Sequence, residues 1–207
     1  MKIRVIAVAA ICALALSGCS TKNNSGTALV VNGNTTTTKQ ITAQVDEIRN
    51  EIQQLPVGTI EKIPSVVMLT RMVVDRNITT QLVDLALAKK NITVSDEEVQ
   101  AFADCVYTQY GKDKILIQIM GTNGVSSTQV NSFMRLVYAE NALAKALAPT
   151  QSQVGQTQAL VEYVGSLSEE VGVKVSPRFG SWDPTQLQVV LGDETLSFIE
   201  KDAQGVS

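Results

Sequence analysis

One pattern recurs along the middle of this chain and limits its possible folds: a capping residue followed by apolar residues three and four positions apart. Thr37 precedes Gln40 by three residues, and Ser95 precedes Glu98 by three, which is the spacing of a capping box. The residues after Thr37 place one apolar stripe on a helix that must stop before Pro56: Ile41, Val45, Ile48, Ile52 and Leu55. The pattern predicts a mainly helical domain.

The remaining segments predict a total of about six helices. Between Pro64 and Asn91 apolar residues occupy nearly every face, which is typical of a long helix surrounded by others. Four shorter helices follow: one from Ser95 to Gly111, one from Lys112 closed by Gly121, one capped by Ser126 and Gln129 and stopped before Pro149, and one from Val154 through Leu167.

Two short β-branched runs lie near opposite ends of the predicted domain. "ALVVNGN" reads as a strand followed by a turn at Asn32-Gly33, and "VKV" as a strand followed by "SPRFGSWD". We expect Val30-Val31 to pair with Val173-Val175 in a minimal sheet. The predicted fold class is therefore mainly α, with an N-terminal strand paired to a late returning strand.

The segment from Val173 to Asp183 contains the chain's single tryptophan and is expected to close the fold. Each residue of this segment has its own expected role in closing the fold. Val173 and Val175 would share one strand face, Pro177 would end the pairing because it has no N–H, and Gly180 would permit a turn. Trp182 would cover the helices, and Arg178 would pair with Asp183 or with helix C-terminal carbonyls. The alternative is that this segment contacts a ligand.

The first twenty residues are typical of a secretory signal. Lys2 and Arg4 precede an uncharged apolar run that is too short to span a bilayer, which needs roughly 20 apolar residues. "LSGC" resembles the bacterial lipobox, which implies cleavage between Gly18 and Cys19 and lipidation of Cys19. The alternative is an ordinary signal peptide with an incidental cysteine.

These features give four predicted segments: a signal peptide (1–18), a flexible tether (19–27), the helical domain (28–184) and a C-terminal tail (185–207). With Cys12 removed and Cys19 acylated, Cys105 is the remaining cysteine of the three, so no intrachain disulfide is expected. Cys105 lies at the flank of its helix, either as a reactive thiol or as a small half-buried residue. No basic cluster is present, which argues against nucleic acid as a partner.

The composition also excludes much chemistry. The chain has no histidine, which removes the commonest general base and nearly all zinc sites. It lacks GxSxG, SxxK, GxxxxGK and CxxC motifs. We expect no catalytic residue, no metal and no cofactor.

Three segments in order, "ALVVNGNTTTTKQI", "LVDLALAKKNITVSDEEVQAF" and "VGVKVSPRFGSWD", resemble the N-terminal chaperone domain of SurA- and PrsA-type extracytoplasmic foldases, in a short lipoprotein form. In that family a strand leads into helices, and a returning strand pairs with the first. The family usually has asparagine where this chain has Ser176. Full foldases also insert a histidine-containing parvulin prolyl isomerase domain before the closing strand. The connection between the last two predicted helices is too short to contain a parvulin domain, so the resemblance implies no isomerase activity.

The resemblance implies a chaperone-like protein that binds unfolded or newly secreted polypeptides without ATP or catalysis, on the outer face of a bacterial membrane. Flexible thioethers and aromatic rings suit irregular partners. The candidate client-binding residues are Met68, Met72, Met120, Met134, Phe102, Tyr107, Tyr110 and Phe133. All except Tyr107 also fit the inner stripe of a helix, so each has a core residue as its alternative. The competing functions are a cell-envelope scaffold or accessory subunit with one fixed partner, and an isomerase or hydrolase.

Overall fold

The computed structural model describes residues 26–190 of the chain. The predicted signal peptide, the lipidation site at Gly18 and Cys19, residues 19–25 of the predicted tether, and residues 191–207 of the predicted tail lie outside this range. Thr27, which the sequence assigns to the tether, begins the first strand.

The described chain forms six α-helices and five short β-strands, which confirms the mainly helical class with minimal sheet. In chain order the elements are β1 (Thr27–Val31), β2 (Asn34–Thr37), α1 (Thr38–Gln54), α2 (Val66–Lys90), α3 (Asp96–Tyr110), α4 (Lys112–Asn123), α5 (Val130–Leu147), α6 (Gln153–Val171), β3 (Val173–Val175), β4 (Ser181–Asp183) and β5 (Gln188–Val190).

Two of the predicted capping boxes form. The Thr37 hydroxyl accepts the Gln40 backbone N–H at 3.2 Å, and the Gln40 side chain accepts the Thr37 N–H at 2.7 Å. Ser95 and Glu98 repeat this exchange at the start of α3. These bonds satisfy N–H groups that a helix start leaves without partners, which is why both helices begin where the sequence predicts.

Two predicted helix boundaries were wrong. Gly121 lies inside α4 rather than at its end, and Gly124 takes the left-handed conformation (φ 57°) that stops the helix. Ser126 forms no capping box, because its hydroxyl contacts the Thr128 hydroxyl at 3.2 Å and residues 127–129 form a 3₁₀ turn before α5. Gly121 has a packing role instead, since a Cβ there would lie 3.1 Å from the Ile60 side chain.

Strand β1 is the centre of a three-stranded antiparallel sheet of order β2-β1-β3. The predicted pairing of Val30-Val31 with Val173–Val175 forms, and its register places Leu29 opposite Val175 and Val31 opposite Val173. On its other side β1 forms a hairpin with β2, a strand the sequence analysis missed. Asn32 and Gly33 both have positive φ, the geometry that a two-residue hairpin turn requires.

The segment after β3 packs against the main core. Val173 and Val175 pack against the main core while Lys174 is exposed, and pairing ends before Pro177, which starts a 3₁₀ turn. Phe179 within this turn is buried. The guanidinium of Arg178 lies 5.2 Å from the Phe179 ring centroid, and the Asp183 carboxylate accepts hydrogen bonds from Thr185 and Gln186.

A second hairpin, β4–β5, continues the domain beyond the predicted boundary at residue 184. Trp182 pairs with Val189, which is fully buried in the main core, and the Trp182 indole donates to the Ser168 hydroxyl of α6 at 3.0 Å. The Val189 N–H donates to Asp75 of α2 at 2.5 Å. The boundary was placed too early because the alternation in "LQVV" was not recognised as a strand. Gly180 (φ 109°) allows β4 to pass close to Val190.

The buried residues form two clusters. The main core joins the three-stranded sheet and α1 to α2, α5 and α6, and α2 contributes the most residues to it. A smaller second core lies between α3, α4 and α5 and contains Ala103, Ile115, Ile119, Val125, Val130 and Met134. Helix α3 buries only Ala103 fully, so the α3–α4 pair is held to the body largely through this second core.

Two half-buried carboxyl groups have raised pKa values. Burial in α5 raises the pKa of Glu140 from 4.5 to about 7. Burial also raises the pKa of Asp75 from 3.8 to about 6, although the Val189 N–H and the Arg71 guanidinium, 3.7 Å away, act in the opposite direction. Both groups therefore hold their protons to higher pH in the folded protein than in the unfolded chain.

Replacing Gly165 of α6 by alanine should destabilise the domain. A Cβ at this buried position would overlap the carbonyl oxygen of Pro184, which belongs to the backbone of the β4–β5 hairpin. Overpacking of this kind costs typically about 1–3 kcal/mol, more than the roughly 1 kcal/mol that alanine gains over glycine in a helix. The free energy of unfolding, measured by urea denaturation, should therefore fall.

Gly155→Ala is the matched control, because a Cβ there would meet only the side chain of the exposed Gln151. This variant should keep or gain stability. Equal stability of both variants would show that the hairpin does not pack against α6 as described.

Stability should also fall as pH rises from about 5 to about 8. A carboxyl group whose pKa is higher in the folded protein than in the unfolded chain makes its full contribution to stability at pH values below its pKa in the unfolded chain. This contribution is lost as the pH rises through its pKa in the folded protein. The shift of Glu140 from 4.5 to about 7 corresponds to roughly 3 kcal/mol. Asp75 acts in the same direction. Denaturation at both pH values measures the difference.

Glu140→Gln should remove most of this pH dependence, and the exposed Glu169→Gln should leave it intact. A wild-type protein that is more stable at about pH 8 than at about pH 5 would contradict the prediction.

Candidate polypeptide-binding surfaces

The candidate client-binding residues do not line one groove. Met120 is buried in the main core and Met134 in the second core, so both are core residues rather than exposed contacts. Met72 is half-buried against the main core, and Phe102, Tyr107 and Phe133 are half-buried against the second. Met68 and Tyr110 are exposed, at 43% and 53% respectively.

The connection between α1 and α2 presents a concentration of exposed apolar side chains. Val57 is fully exposed and Ile63 is 64% exposed, and Met68 follows in the first turn of α2. Pro56, Gly58 and Pro64 keep this connection out of a helix, and the Thr59 N–H closes a turn onto the Pro56 carbonyl at 3.1 Å. Its apolar residues therefore lack the regular face that would bury them against the body.

Contacts with α4 hold this connection in place. Ile60 lies directly over Gly121, and Met72 lies over Gly124, where a Cβ would be 3.2 Å from the Met72 sulfur. Met68 is one turn before Met72 on the same side of α2. We call Val57, Ile60, Ile63, Met68 and Met72 the methionine surface: three exposed side chains beside two half-buried ones that contact α4.

The aromatic candidates on α3 belong to the second core or its edge, and two of them have ring partners. The Phe102 ring is 5.7 Å from the Tyr138 ring, centroid to centroid, and the Lys112 ammonium is 5.6 Å from the centroid of the Tyr107 ring. Tyr110 lies at the end of α3 and is the most exposed of this group. Phe102 and Tyr107 therefore have packing roles, and Tyr110 is the aromatic side chain most available to a ligand.

Phe133 instead lines a groove of about 360 Å³ between β2, α1, α2, the 3₁₀ turn before α5, and α5 itself. Its other lining residues carry hydroxyl or amide groups, except one arginine: Thr36, Gln44, Arg76, Asn77, Thr80, Gln81, Gln129 and Ser132. Several of the amides are fixed by the protein. Asn77 donates to Gln44 at 3.1 Å and to the Val73 carbonyl at 2.7 Å, and Gln81 donates to the Asn77 carbonyl at 3.0 Å. We call this the amide groove.

Arg76 is the charged residue of the amide groove. Its guanidinium donates to the carbonyl oxygens of Asn123 (3.2 Å) and Gly124 (2.6 Å) at the end of α4, and to the Gln129 side chain (2.8 Å). None of the ion pairs among the described residues involves it. Burial lowers its pKa from 12.5 to about 10, so it is still a cation at neutral pH.

The sequence analysis did not identify the amide groove. A signal was available, because Arg76 and Asn77 stand within a polar run, residues 75–77 and 79–81, in the middle of α2. The groove is formed by residues from five separate elements, however, and only the folded chain brings them together.

The described residues offer no metal centre. No group of three or more His, Cys, Asp or Glu side chains between residues 26 and 190 is arranged to hold an ion. In the same range, no helix combines the length and the apolar character needed to cross a bilayer. Cys105 is a free, exposed thiol.

Helices α5 and α6 are joined by residues 148–152 alone. These five residues form a turn in which the Gln151 N–H donates to the Ala148 carbonyl at 3.1 Å, and Ser152 then caps α6. The described chain therefore has no inserted domain between α5 and α6.

Comparison with known proteins gives one positive result. The family model described as "SurA-like N-terminal domain" matches residues 1–110, a range that includes β1, β2 and the first three helices. No curated protein and no solved structure matches the chain. The SurA N-terminal domain is the chaperone part of those foldases, not the catalytic parvulin domain, and its ligands are polypeptides. The match extends over more than half of the 207 residues, so this chain belongs to the SurA-like N-terminal domain family.

Proposed function

We propose that this protein is a chaperone that binds exposed apolar segments of unfolded or newly secreted polypeptides, without ATP or a chemical step, while a lipid on Cys19 holds it at the outer face of a bacterial membrane. The observation that carries the proposal is the methionine surface. A chaperone of this family needs apolar side chains that are available to its clients, and Val57, Ile63 and Met68 provide them.

The physical basis of binding is the removal of apolar area from water, which contributes roughly 25 cal/mol per Å². Met68 suits varied clients because its unbranched thioether adapts to irregular shapes. The connection that carries Val57 and Ile63 has turns but no helix or strand, so it can adjust to a client at small cost in buried contacts. Contacts of this kind are reversible and need no energy source.

The absence of catalysis belongs to this proposal. The chain has no histidine and no phosphate-binding GxxxxGK motif. The family match concerns the chaperone part of the foldases. A prolyl isomerisation assay that gave rates above background would contradict this part of the proposal.

Purified protein, without its signal segment, should delay the aggregation of a chemically denatured client at stoichiometric ratio, measured by light scattering. The double variant Ile63→Ser, Met68→Ser should delay it less, because it removes two exposed apolar side chains from the methionine surface. Its melting temperature should stay near that of the wild type, since neither side chain is buried.

Val154→Ser is the matched control, because Val154 is equally apolar and 78% exposed but lies at the start of α6. If it weakened the delay as much as the double variant did, the methionine surface would have no special role. A wild-type protein that failed to delay aggregation of any client would contradict the chaperone function itself.

The lipid anchor has its own test. In bacteria, the full-length chain should fractionate with membranes and incorporate labelled palmitate, and Cys19→Ser should abolish both because the sulfur is the atom to which the lipid is attached. Cys105→Ser, which exchanges an exposed thiol in α3, should change neither. A Cys19→Ser protein that still carried label would contradict the anchor.

A further inference from the structure

We propose that the amide groove binds a carboxylate group of the client polypeptide, through Arg76. This inference rests on the proposed function, because it assumes that the ligands are polypeptides, and it assigns to them a second contact distinct from the methionine surface.

The first argument is the state of Arg76. The residue is half-buried, and its terminal guanidinium nitrogens donate to the Asn123 and Gly124 carbonyls and to the Gln129 side chain. No carboxylate among the described residues forms an ion pair with it. A half-buried cation of this kind has lost part of its water without gaining an opposite charge. An incoming carboxylate would offset that loss and accept hydrogen bonds from the guanidinium.

The second argument is that nearby acidic groups have other partners. Glu47 of α1 accepts the Thr128 hydroxyl at 2.5 Å, and Glu51 accepts both the backbone N–H and the hydroxyl of Ser127 at 2.7 Å. These bonds fix α1 to the 3₁₀ turn before α5. The protein therefore has carboxylates close to this end of α5, yet they do not pair with Arg76.

The third argument is the chemistry of the walls. Gln44, Asn77, Gln81 and Gln129 carry amides that both donate and accept, which suits the alternating N–H and C=O groups of a polypeptide backbone. Phe133 adds one apolar wall. A volume of about 360 Å³ lies within the range of ligand-binding clefts. The groove thus has the size and hydrogen-bonding groups for a short peptide segment with a carboxylate at Arg76.

The carboxylate has two possible sources, a free chain terminus or an Asp or Glu side chain, and the experiment separates them. Isothermal titration calorimetry would use one short N-acetylated peptide in three forms: with a free C-terminal carboxylate, with a C-terminal amide, and with the amide plus one internal Asp. We expect amidation to weaken binding at least about tenfold, as the loss of a charge-assisted hydrogen bond predicts. Recovery by the internal Asp would identify side chains as a source, and no recovery would identify the chain terminus.

Arg76 itself is a poor site for the test variant, because its loss would also free the carbonyls at the end of α4. Ser132→Asp is preferable, since Ser132 is exposed, lines the groove and makes no hydrogen bond within the described residues. The new carboxylate would compete with the ligand for Arg76 and should weaken binding of the free-acid peptide at least about tenfold. Asn131→Asp is the matched control: it adds a carboxylate in the same turn of α5, on an exposed residue that does not line the amide groove.

Equal binding of all three peptides, or equal binding of the free-acid peptide to both variants, would overturn the proposal. So would the absence of measurable binding by the free-acid peptide. The chaperone function is judged separately by the aggregation assay, where Ser132→Asp retains the methionine surface. Suppression that persists in that variant, together with peptides that bind equally, would leave the proposed function standing and remove the carboxylate site alone.

Discussion

The pairing of β1 with β3 is the interaction on which the rest of the structure depends. It joins Leu29 to Val175 and Val31 to Val173, so the segments on either side of all six helices are held together by one ladder. Closing so long a loop has an entropic cost that the ladder alone does not offset. The helices between β1 and β3 supply the contacts that offset the rest of this cost, since α2 packs against α1, α5, α6 and β1 in one core. The sheet in turn fixes where α1 starts and where α6 ends.

The same arrangement separates a well-packed body from a more loosely held part. The main core includes the sheet, and its closing segment is fixed by hydrogen bonds from Trp182 to Ser168 and from Val189 to Asp75. Helices α3 and α4 instead pack around the small second core, and α3 is exposed over most of its length. Local opening is easiest where few apolar contacts are buried. The methionine surface and the amide groove both border the end of α4, so both lie where the two parts meet.

The sequence was sufficient for features set by local chemistry. Capping boxes at Thr37 and Ser95 gave correct helix starts, and the β-branched runs gave both strands of the β1–β3 pair, although their register came only from the structure. It was insufficient where one residue type serves two purposes. Gly121 was interpreted as a helix stop, but it is inside α4 because Ile60 packs against its bare Cα, a contact from a distant loop. Met120 fitted both a binding surface and a core, and only the position of α4 decides between them.

Arg76 connects these observations. Its bonds to Asn123 and Gly124 fix the end of α4, and the same helix supports Ile60 and Met72 of the methionine surface. A ligand that changed the position of the Arg76 guanidinium would therefore act on the support of that surface as well. Coupling of this kind requires that a ligand differ in affinity between two arrangements of the same residues. Helix α4 does not line the amide groove, but Arg76 of that groove donates hydrogen bonds to the carbonyls at its end, which makes the end of α4 the physical connection between the groove and the methionine surface.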